Sequence, residues 1–173
     1  MSGVKRQRIL GVDTSLRSSG VGVIEARGPE LRAVAYGRIH NRPAELHSQC
    51  LWNIFEEISA LIETHQPECA AIEGAFFAKN AKTAMVLGQA RGAVLAACAK
   101  AGIPVCEHSP RRVKQALTGN GGAQKDQVAK MVMQLLQLEE QPQEDAADGL
   151  AVAITHYHQA SLPEASRVHQ IHG

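Results

Sequence analysis

The sequence predicts an α/β fold in which helices cover both faces of a mixed five-stranded sheet. Three strand-like apolar runs come first, and the short separations between them are typical of an antiparallel meander. Two more short apolar runs follow, each after a helical repeat, and this order is typical of parallel strands joined by crossover helices. The 173 residues correspond to one domain, 1–173, with enough chain to bury a sizeable core.

The antiparallel part of the sheet is predicted near the N-terminus. Arg8–Val12, Gly20–Ala26 and Leu31–Ile39 are rich in apolar residues, and each is short enough to be a strand. Gly28 and Pro29 favour a turn between the second strand and the third.

Two helices and two strands are predicted in the middle of the chain. Apolar residues recur at a spacing of three and four in Ala44–His65, which predicts an amphipathic helix that ends before Pro67. A buried strand is predicted at Cys69–Glu73, and a second helix at Ala81–Ala101, where Ala and Gly favour close packing. The fifth strand is predicted at Pro104–Glu107.

Three helices are predicted in the C-terminal third, at Pro110–Leu117, Lys125–Leu138 and Glu144–His158. Gly149, inside the last of them, costs about 1 kcal/mol of helix stability relative to Ala. The tail at 160–173 has no periodic pattern, and we expect it to be held loosely.

Composition and the cysteines exclude several classes of protein. No apolar run approaches the roughly 18 residues of a membrane span, and the N-terminus lacks the apolar segment of a signal peptide. The four cysteines include no Cys-x-x-Cys pair, which predicts free core thiols rather than a zinc site or disulfides. We therefore expect a cytoplasmic protein that makes no membrane contact.

The charge is unevenly distributed, although the formal net charge is only +1. Between Lys79 and Lys130 nine residues are basic, and only Glu107 and Asp126 are acidic. A basic face of this kind predicts a polyanionic partner such as nucleic acid, whereas a solvated, lysine-rich helix surface is the alternative.

Four carboxylates stand at positions that favour a shared site. Asp13 and Glu73 each end a predicted strand, where α/β sheets usually place their sites. Asp145 and Asp148 are three residues apart on the last helix and share one of its faces. A turn at Asp13 and the preference of acids for a helix N-terminus are the alternatives, but Asp148 lies past the first turn, among apolar residues.

A cluster of four carboxylates requires a countercharge, because like charges a few ångströms apart raise one another's pKa. A pair of Mg²⁺ or Mn²⁺ ions would supply it, since hard divalent cations prefer oxygen ligands. Two such ions about 4 Å apart can activate water and stabilise the leaving oxygen of a phosphodiester.

The sequence resembles the bacterial RuvC-type Holliday-junction resolvases from Ile9 to about His158. The resemblance rests on the Glu-x-x-Phe-x-x-x-Asn spacing, the Leu-Gly-Gln-Ala-Arg-Gly run and the Asp-Ala-Ala-Asp cluster. These lie within four motifs: ILGVD at 9–13, AAIEGAFFAKNAKTAMVLGQARG at 70–92, VKQALTGNGGAQKDQV at 113–128 and PQEDAADGLAVAITH at 142–156. The resemblance implies a ribonuclease H-like fold.

The resemblance also implies a function, namely a homodimeric, structure-selective endonuclease of recombination and DNA repair. Such an enzyme nicks two opposing strands of a four-way DNA junction symmetrically. The implied Mg²⁺ ligands and catalytic acids are Asp13, Glu73, Asp145 and Asp148. A branch-migration motor complex is a further candidate partner.

Aromatic and basic residues near these motifs are candidates for DNA contact. By family spacing we expect Phe76 to stack on bases or wedge between them at the branch point and Phe77 to lie in the core, whereas burial of both rings in the core is the alternative. Lys125 matches a lysine that activates or contacts the phosphate, and it is counted with the catalytic residues. The expected DNA contacts are Phe76, Lys79, Arg111, Arg112, Lys114 and Lys125.

The helix at 81–101 is the candidate dimer interface, because its small residues allow two helices to approach closely. Burial of the same residues inside the monomer is the alternative. The residues concerned are Ala84, Leu87, Gly88, Arg91, Gly92 and Leu95.

The chain departs from the family pattern just after the first carboxylate. Thr14 and Ser15 stand where Pro-Gly is usual, and this difference concerns the geometry of the loop rather than Asp13 itself. A junction-binding homologue without catalysis and a ribonuclease H-like nuclease of other specificity are the alternative functions. A sugar kinase or ATPase of actin-like fold is disfavoured, because those proteins need about twice this length.

Overall fold

The strands form one five-stranded sheet in the order β3-β2-β1-β4-β5. The structure is a computed structural model and describes residues 5–74 and 79–161. The first three strands pair antiparallel, and the last two join them in parallel, so the predicted meander and crossovers are confirmed. The strands are β1 (Arg6–Asp13), β2 (Ser18–Arg27), β3 (Glu30–His40), β4 (Cys69–Glu73) and β5 (Val105–His108).

Within the described residues, five helices cover the two faces of this sheet, as predicted. They are α1 (His47–His65), α2 (Ala81–Ala101), α3 (Pro110–Thr118), α4 (Lys125–Leu136) and α5 (Glu144–Ala160). One buried cluster joins α1 and α2 to the sheet, and the second joins α3, α4 and α5 to the opposite face. The helix and strand positions were predicted to within a few residues.

Two helix ends differ from the predicted ones for local reasons. α1 begins at His47 rather than Ala44, because the backbone N–H of Glu45 donates to the Arg42 carbonyl and residues 42–45 form a turn. α4 ends at Leu136 rather than Leu138, because Gln137 adopts a left-handed conformation with φ of 53°.

The last helix lies unusually close to the sheet. A Cβ atom on Gly149 would lie 2.7 Å from backbone atoms of Val21, and one on Gly11 would lie 2.1 Å from the Gly149 carbonyl oxygen. Gly149 therefore allows a close backbone approach between α5 and β2. The sequence predicted only that this glycine lowers the stability of the helix. This approach brings the acids of α5 to the ends of the strands.

The structure confirms the predicted state of the cysteines, whereas the domain assignment and most of the tail stay predictions. All four cysteines are buried and free, as predicted. Among the described residues, no helix has both the length and the apolar character that crossing a membrane requires. The single-domain assignment stays a prediction, and residues 162–173 of the expected tail lie outside the described residues, as do Phe76 and Phe77.

Candidate active site

A pocket of about 90 Å³ opens where β1 and β4 end. The two strands are parallel neighbours with Val12 opposite Ile72, so the residues that follow, Asp13 and Glu73, reach the same edge of the sheet. Asp148 of α5 completes a set of three carboxylates, because α5 packs across β1 and β2. Three of the four predicted acids therefore lie together.

Burial raises the pKa values of these three carboxyl groups, and the charges of neighbouring acids add to its effect. Burial, and then the charge of Asp148, raise the pKa of Asp13 to about 6. Burial, and then the charges of Asp13 and Asp148, raise the pKa of Glu73 to about 7. Burial also raises the pKa of Asp148, against the opposing effect of Lys125.

Two lysines supply positive charge to the pocket. Lys114 and Lys125 both line it. The Lys125 ammonium donates to Glu144 Oε1 at 2.8 Å and to Asp148 Oδ2 at 3.4 Å. The hydrogen bond to Glu144 is the main cause that raises the pKa of Lys125. Glu144 is exposed, so Lys125 bridges the rim and the interior of the site.

The fourth acid, Asp145, lies at the rim of the site and does not line the pocket. It is half-buried in the first turn of α5, and its Oδ2 accepts a hydrogen bond from the Ser18 hydroxyl at 2.5 Å. Its charge still raises the pKa values of Asp13 and Asp148. Asp145 is therefore near the three pocket acids, but its carboxylate is hydrogen-bonded to Ser18 at the start of β2.

The donor atoms of this site suit a hard divalent cation. All four acids offer carboxylate oxygens, and burial together with the charges of neighbouring acids raises the pKa values of Asp13 and Glu73, so a bound cation would favour their ionised forms. Within residues 5–74 and 79–161, however, no three potential ligands are already arranged around one point. The residues fit a metal site by the chemistry of their donor atoms.

Comparison with known proteins identifies the family of the chain. The family model described as crossover junction endodeoxyribonuclease RuvC matches residues 9–156.

The chain belongs to this RuvC family.

Relatives of the same description are similar along most of their length. The RuvC of Psychromonas ingrahamii is 48% identical over 152 residues, which cover 88% of this chain and 87% of that protein. The RuvC of Moorella thermoacetica is 48% identical over 149 residues and covers 86% of this chain and 89% of its own length.

A solved RuvC structure confirms the fold. The RuvC of T. thermophilus in complex with Holliday junction substrate superposes with a TM-score of 0.89 at 32% identity, covering 95% of this chain and 99% of that one. The predicted ribonuclease H-like sheet is thus the RuvC fold. Membership of the family makes the chain an endodeoxyribonuclease of DNA recombination and repair that resolves Holliday junctions.

The structure describes five of the six predicted DNA-binding residues, all except Phe76, and two of them, Lys114 and Lys125, line the RuvC pocket. Lys114 lines the pocket, and Lys79 is exposed next to the undescribed segment 75–78. Arg111 and Arg112, at the start of α3, line a neighbouring groove of about 490 Å³ with Ser109 and Gln159. The Arg112 guanidinium donates to Gln159 Oε1 at 2.9 Å.

Three contacts of the site were missed in the sequence. Ser18 holds Asp145, Glu144 holds Lys125, and Arg91 pairs with Glu107 at 2.8 Å beside the end of β4. Glu144 stands next to the Asp-Ala-Ala-Asp cluster, which was a usable signal. No signal in the sequence pointed to Ser18 or Glu107, because the residues that they contact are distant along the chain.

Proposed function

We propose that this RuvC-family chain cuts four-way DNA junctions by metal-assisted hydrolysis, with paired symmetric nicks. The observation that supports this best is the convergence of Asp13, Glu73 and Asp148 in one pocket at the ends of β1 and β4. The related RuvC of T. thermophilus was solved with a Holliday junction substrate, and that likeness supports the same substrate here.

The metal proposed is Mg²⁺, with Mn²⁺ able to replace it, and two ions per site. Asp13, Glu73, Asp145 and Asp148 would hold them through carboxylate oxygens. When bound, such ions activate water and stabilise the leaving oxygen of a phosphodiester. Burial is the main cause of the raised pKa values of Asp13 and Glu73, and the charges of neighbouring acids add to it; bound cations would offset both effects by stabilising the ionised carboxylates.

Lys125 and Lys114 are proposed to bind the scissile phosphate. Both residues line the pocket, and the exposed Lys125 ammonium group is within reach of a phosphate that approaches from solvent. Lys125 would have to exchange its contact with exposed Glu144 for one with a phosphate oxygen. The two lysines would then balance the negative charge on the scissile phosphate.

The DNA arms are proposed to follow the basic surface around the pocket. Arg111 and Arg112 would contact the backbone rather than the bases, as would Lys79. Phe76 is proposed to stack at the branch point, where bases are already partly unstacked. Junction affinity would then fall steeply with salt, because binding releases counterions from the phosphates.

A homodimer is proposed because two coordinated nicks need two sites that face one junction. The first half of α2 is exposed, and Met85 within it is 63% accessible. A Cβ on Gly88 or Gly92 would meet nothing within 4 Å, so the packing of the monomer does not require these glycines. Close approach of a second α2 would explain them.

The cellular compartment and a further protein partner are also proposals. The buried, free cysteines suit the reducing cytoplasm. A branch-migration motor complex is a candidate partner, and co-purification with it in the presence of a junction would test that association.

The deciding experiment is a nicking assay on a synthetic four-way junction with and without Mg²⁺. We expect metal-dependent paired nicks from the wild type, and binding without nicking from Asp13→Asn, Glu73→Gln and Asp145→Asn. Equal cutting of linear duplex would instead favour a nuclease of other specificity. Binding without any nicking by the wild type would favour a non-catalytic junction-binding homologue.

A further inference from the structure

We propose that Ser18 is a positioning residue that orients Asp145 for metal binding. The inference rests on the proposed function, because it assumes that Asp145 is a metal ligand. The inference is based on a hydrogen bond of 2.5 Å that the Ser18 hydroxyl donates to Asp145 Oδ2, between residues 127 positions apart in the sequence.

The two residues are brought together by the backbone and not by this hydrogen bond. Ser18 begins β2, and its neighbour Gly20 lies so close to α5 that a Cβ there would stand 1.7 Å from the Asp145 carbonyl oxygen. Ser19 fixes the preceding loop, since its hydroxyl accepts from the Ser15 N–H at 2.9 Å and donates to the Ser15 carbonyl. Loss of the Ser18 hydroxyl should therefore leave strand and helix in place.

Asp145 is the acid that most needs such a contact. Asp13, Glu73 and Asp148 line the pocket, whereas Asp145 does not and lies half-buried in the first turn of α5. A side chain there would otherwise rotate between solvent and the site. The Ser18 hydroxyl restricts the carboxylate through Oδ2, and no other described residue hydrogen-bonds to Oδ1, which a cation would use.

Hydrogen bonds of this kind are known to adjust metal sites in proteins generally. Removing a group that orients a ligand typically weakens metal binding or activity by about 10- to 100-fold. Because Asp145 keeps its backbone position without the hydroxyl, we expect the lower end of that range.

The test compares Ser18→Val with Ser18→Thr in the full chain. The two side chains have nearly the same shape, both suit a strand, and only Thr retains a hydroxyl. Binding of Mn²⁺ is measured by electron paramagnetic resonance of the free ion, without DNA. We expect Ser18→Val to bind about tenfold more weakly than the wild type and Ser18→Thr to match the wild type. The metal concentration for half-maximal nicking should shift in the same order.

A merely structural role of Ser18 predicts a different result. It would change the melting temperature of the metal-free protein while leaving Mn²⁺ affinity equal in both variants, and that outcome overturns the inference. Equal weakening in Ser18→Val and Ser18→Thr also overturns it, because the hydroxyl would then be irrelevant. Ser18→Ala repeats the comparison without a branched side chain if Ser18→Val fails to fold.

Asp145→Asn and Asp13→Asn separate this inference from the proposed function. If both lose Mn²⁺ binding while Ser18→Val binds as the wild type does, the inference fails and the proposed metal site stands. If the wild type binds Mn²⁺ no better than these two variants, the metal site and the inference fail together.

Discussion

Asp13 combines burial with repulsion from Asp148, and its pKa is raised to about 6. A carboxyl whose pKa is higher in the folded state than in the unfolded state favours folding below its ordinary value of 3.8. That contribution is lost as the pH rises through about 6. At neutral pH without metal, the charge on Asp13 therefore destabilises the fold.

We accordingly expect Asp13→Asn to stabilise the metal-free protein at pH 7 by about 1–3 kcal/mol. The gain should disappear near pH 4, where the native carboxyl is already protonated. Urea denaturation at both pH values measures this. Added Mg²⁺ should raise the stability of the wild type and not that of Asp13→Asn, and a variant less stable than the wild type at pH 7 would contradict the argument.

Lys125 is shared between the exposed Glu144 and the pocket acid Asp148. A phosphate must compete with Glu144 for this ammonium group. Glu144→Gln should therefore bind junctions about two- to fivefold more tightly at low salt, with little gain at high salt. Glu140→Gln removes the same charge from another exposed position and is the control. An equal gain in both variants would assign the effect to net charge alone.

Phe76 and Phe77 lie outside the described residues, and their assignments stay predictions. If Phe76 stacks on a base, Phe76→Ala should slow nicking and weaken junction binding by ~1–3 kcal/mol. It should lower stability much less than the ~3–5 kcal/mol of a core phenylalanine, which is the loss expected for Phe77→Ala. Thermal denaturation with a nicking time course decides the matter, and early unfolding of Phe76→Ala alone would reverse the two roles.

At the scale of the elements, one ion pair joins α2 and β5 at the end of β4. Arg91 on α2 lies 2.8 Å from Glu107 on β5, and its Nη1 donates to the Glu73 carbonyl at 3.4 Å. Gly74 allows this arrangement, because a Cβ there would lie 2.2 Å from Glu107 Oε1. The pair thus supports the strand end that carries Glu73.

Arg91→Met should destabilise the protein by about 1–3 kcal/mol, because it leaves the partly buried Glu107 carboxylate unpaired. Glu107→Gln should cost less, and the double variant should cost less than the sum of the two. Urea denaturation of all four proteins provides this double-mutant cycle. Strictly additive losses would mean that the pair contributes no coupling.

At the scale of the whole molecule, the exposed face of α2 is where a second copy is expected. Met85→Glu should convert the proposed dimer to a monomer, because an exposed apolar side chain is replaced by a charge at the proposed contact. Light scattering at micromolar concentration measures the change, and paired nicking should become single nicking. Tyr36→Glu, on an exposed position of β3, is the control and should remain dimeric. A wild-type monomer that makes paired nicks would contradict the dimer.

The sequence by itself determined the order of the elements and three members of the acid cluster. Strand and helix periodicities are local, so β1, β4 and α5 were found within a few residues of their observed ends. Asp13 and Glu73 end parallel neighbouring strands, and this alone brings them to one edge of the sheet. Asp148 was recognisable because it is an acid on an apolar helix face.

Only the tertiary structure decided how the rest of the site is arranged. Asp145 shares a helix face with Asp148, yet the close approach of Gly20 directs it to Ser18 at the rim of the pocket. Lys125 reaches Glu144 across 19 residues, and Arg91 reaches Glu107 across 16. Such contacts depend on how far each helix is rotated and how closely it packs on the sheet. These quantities follow from the packing of the whole core, which local sequence patterns do not encode.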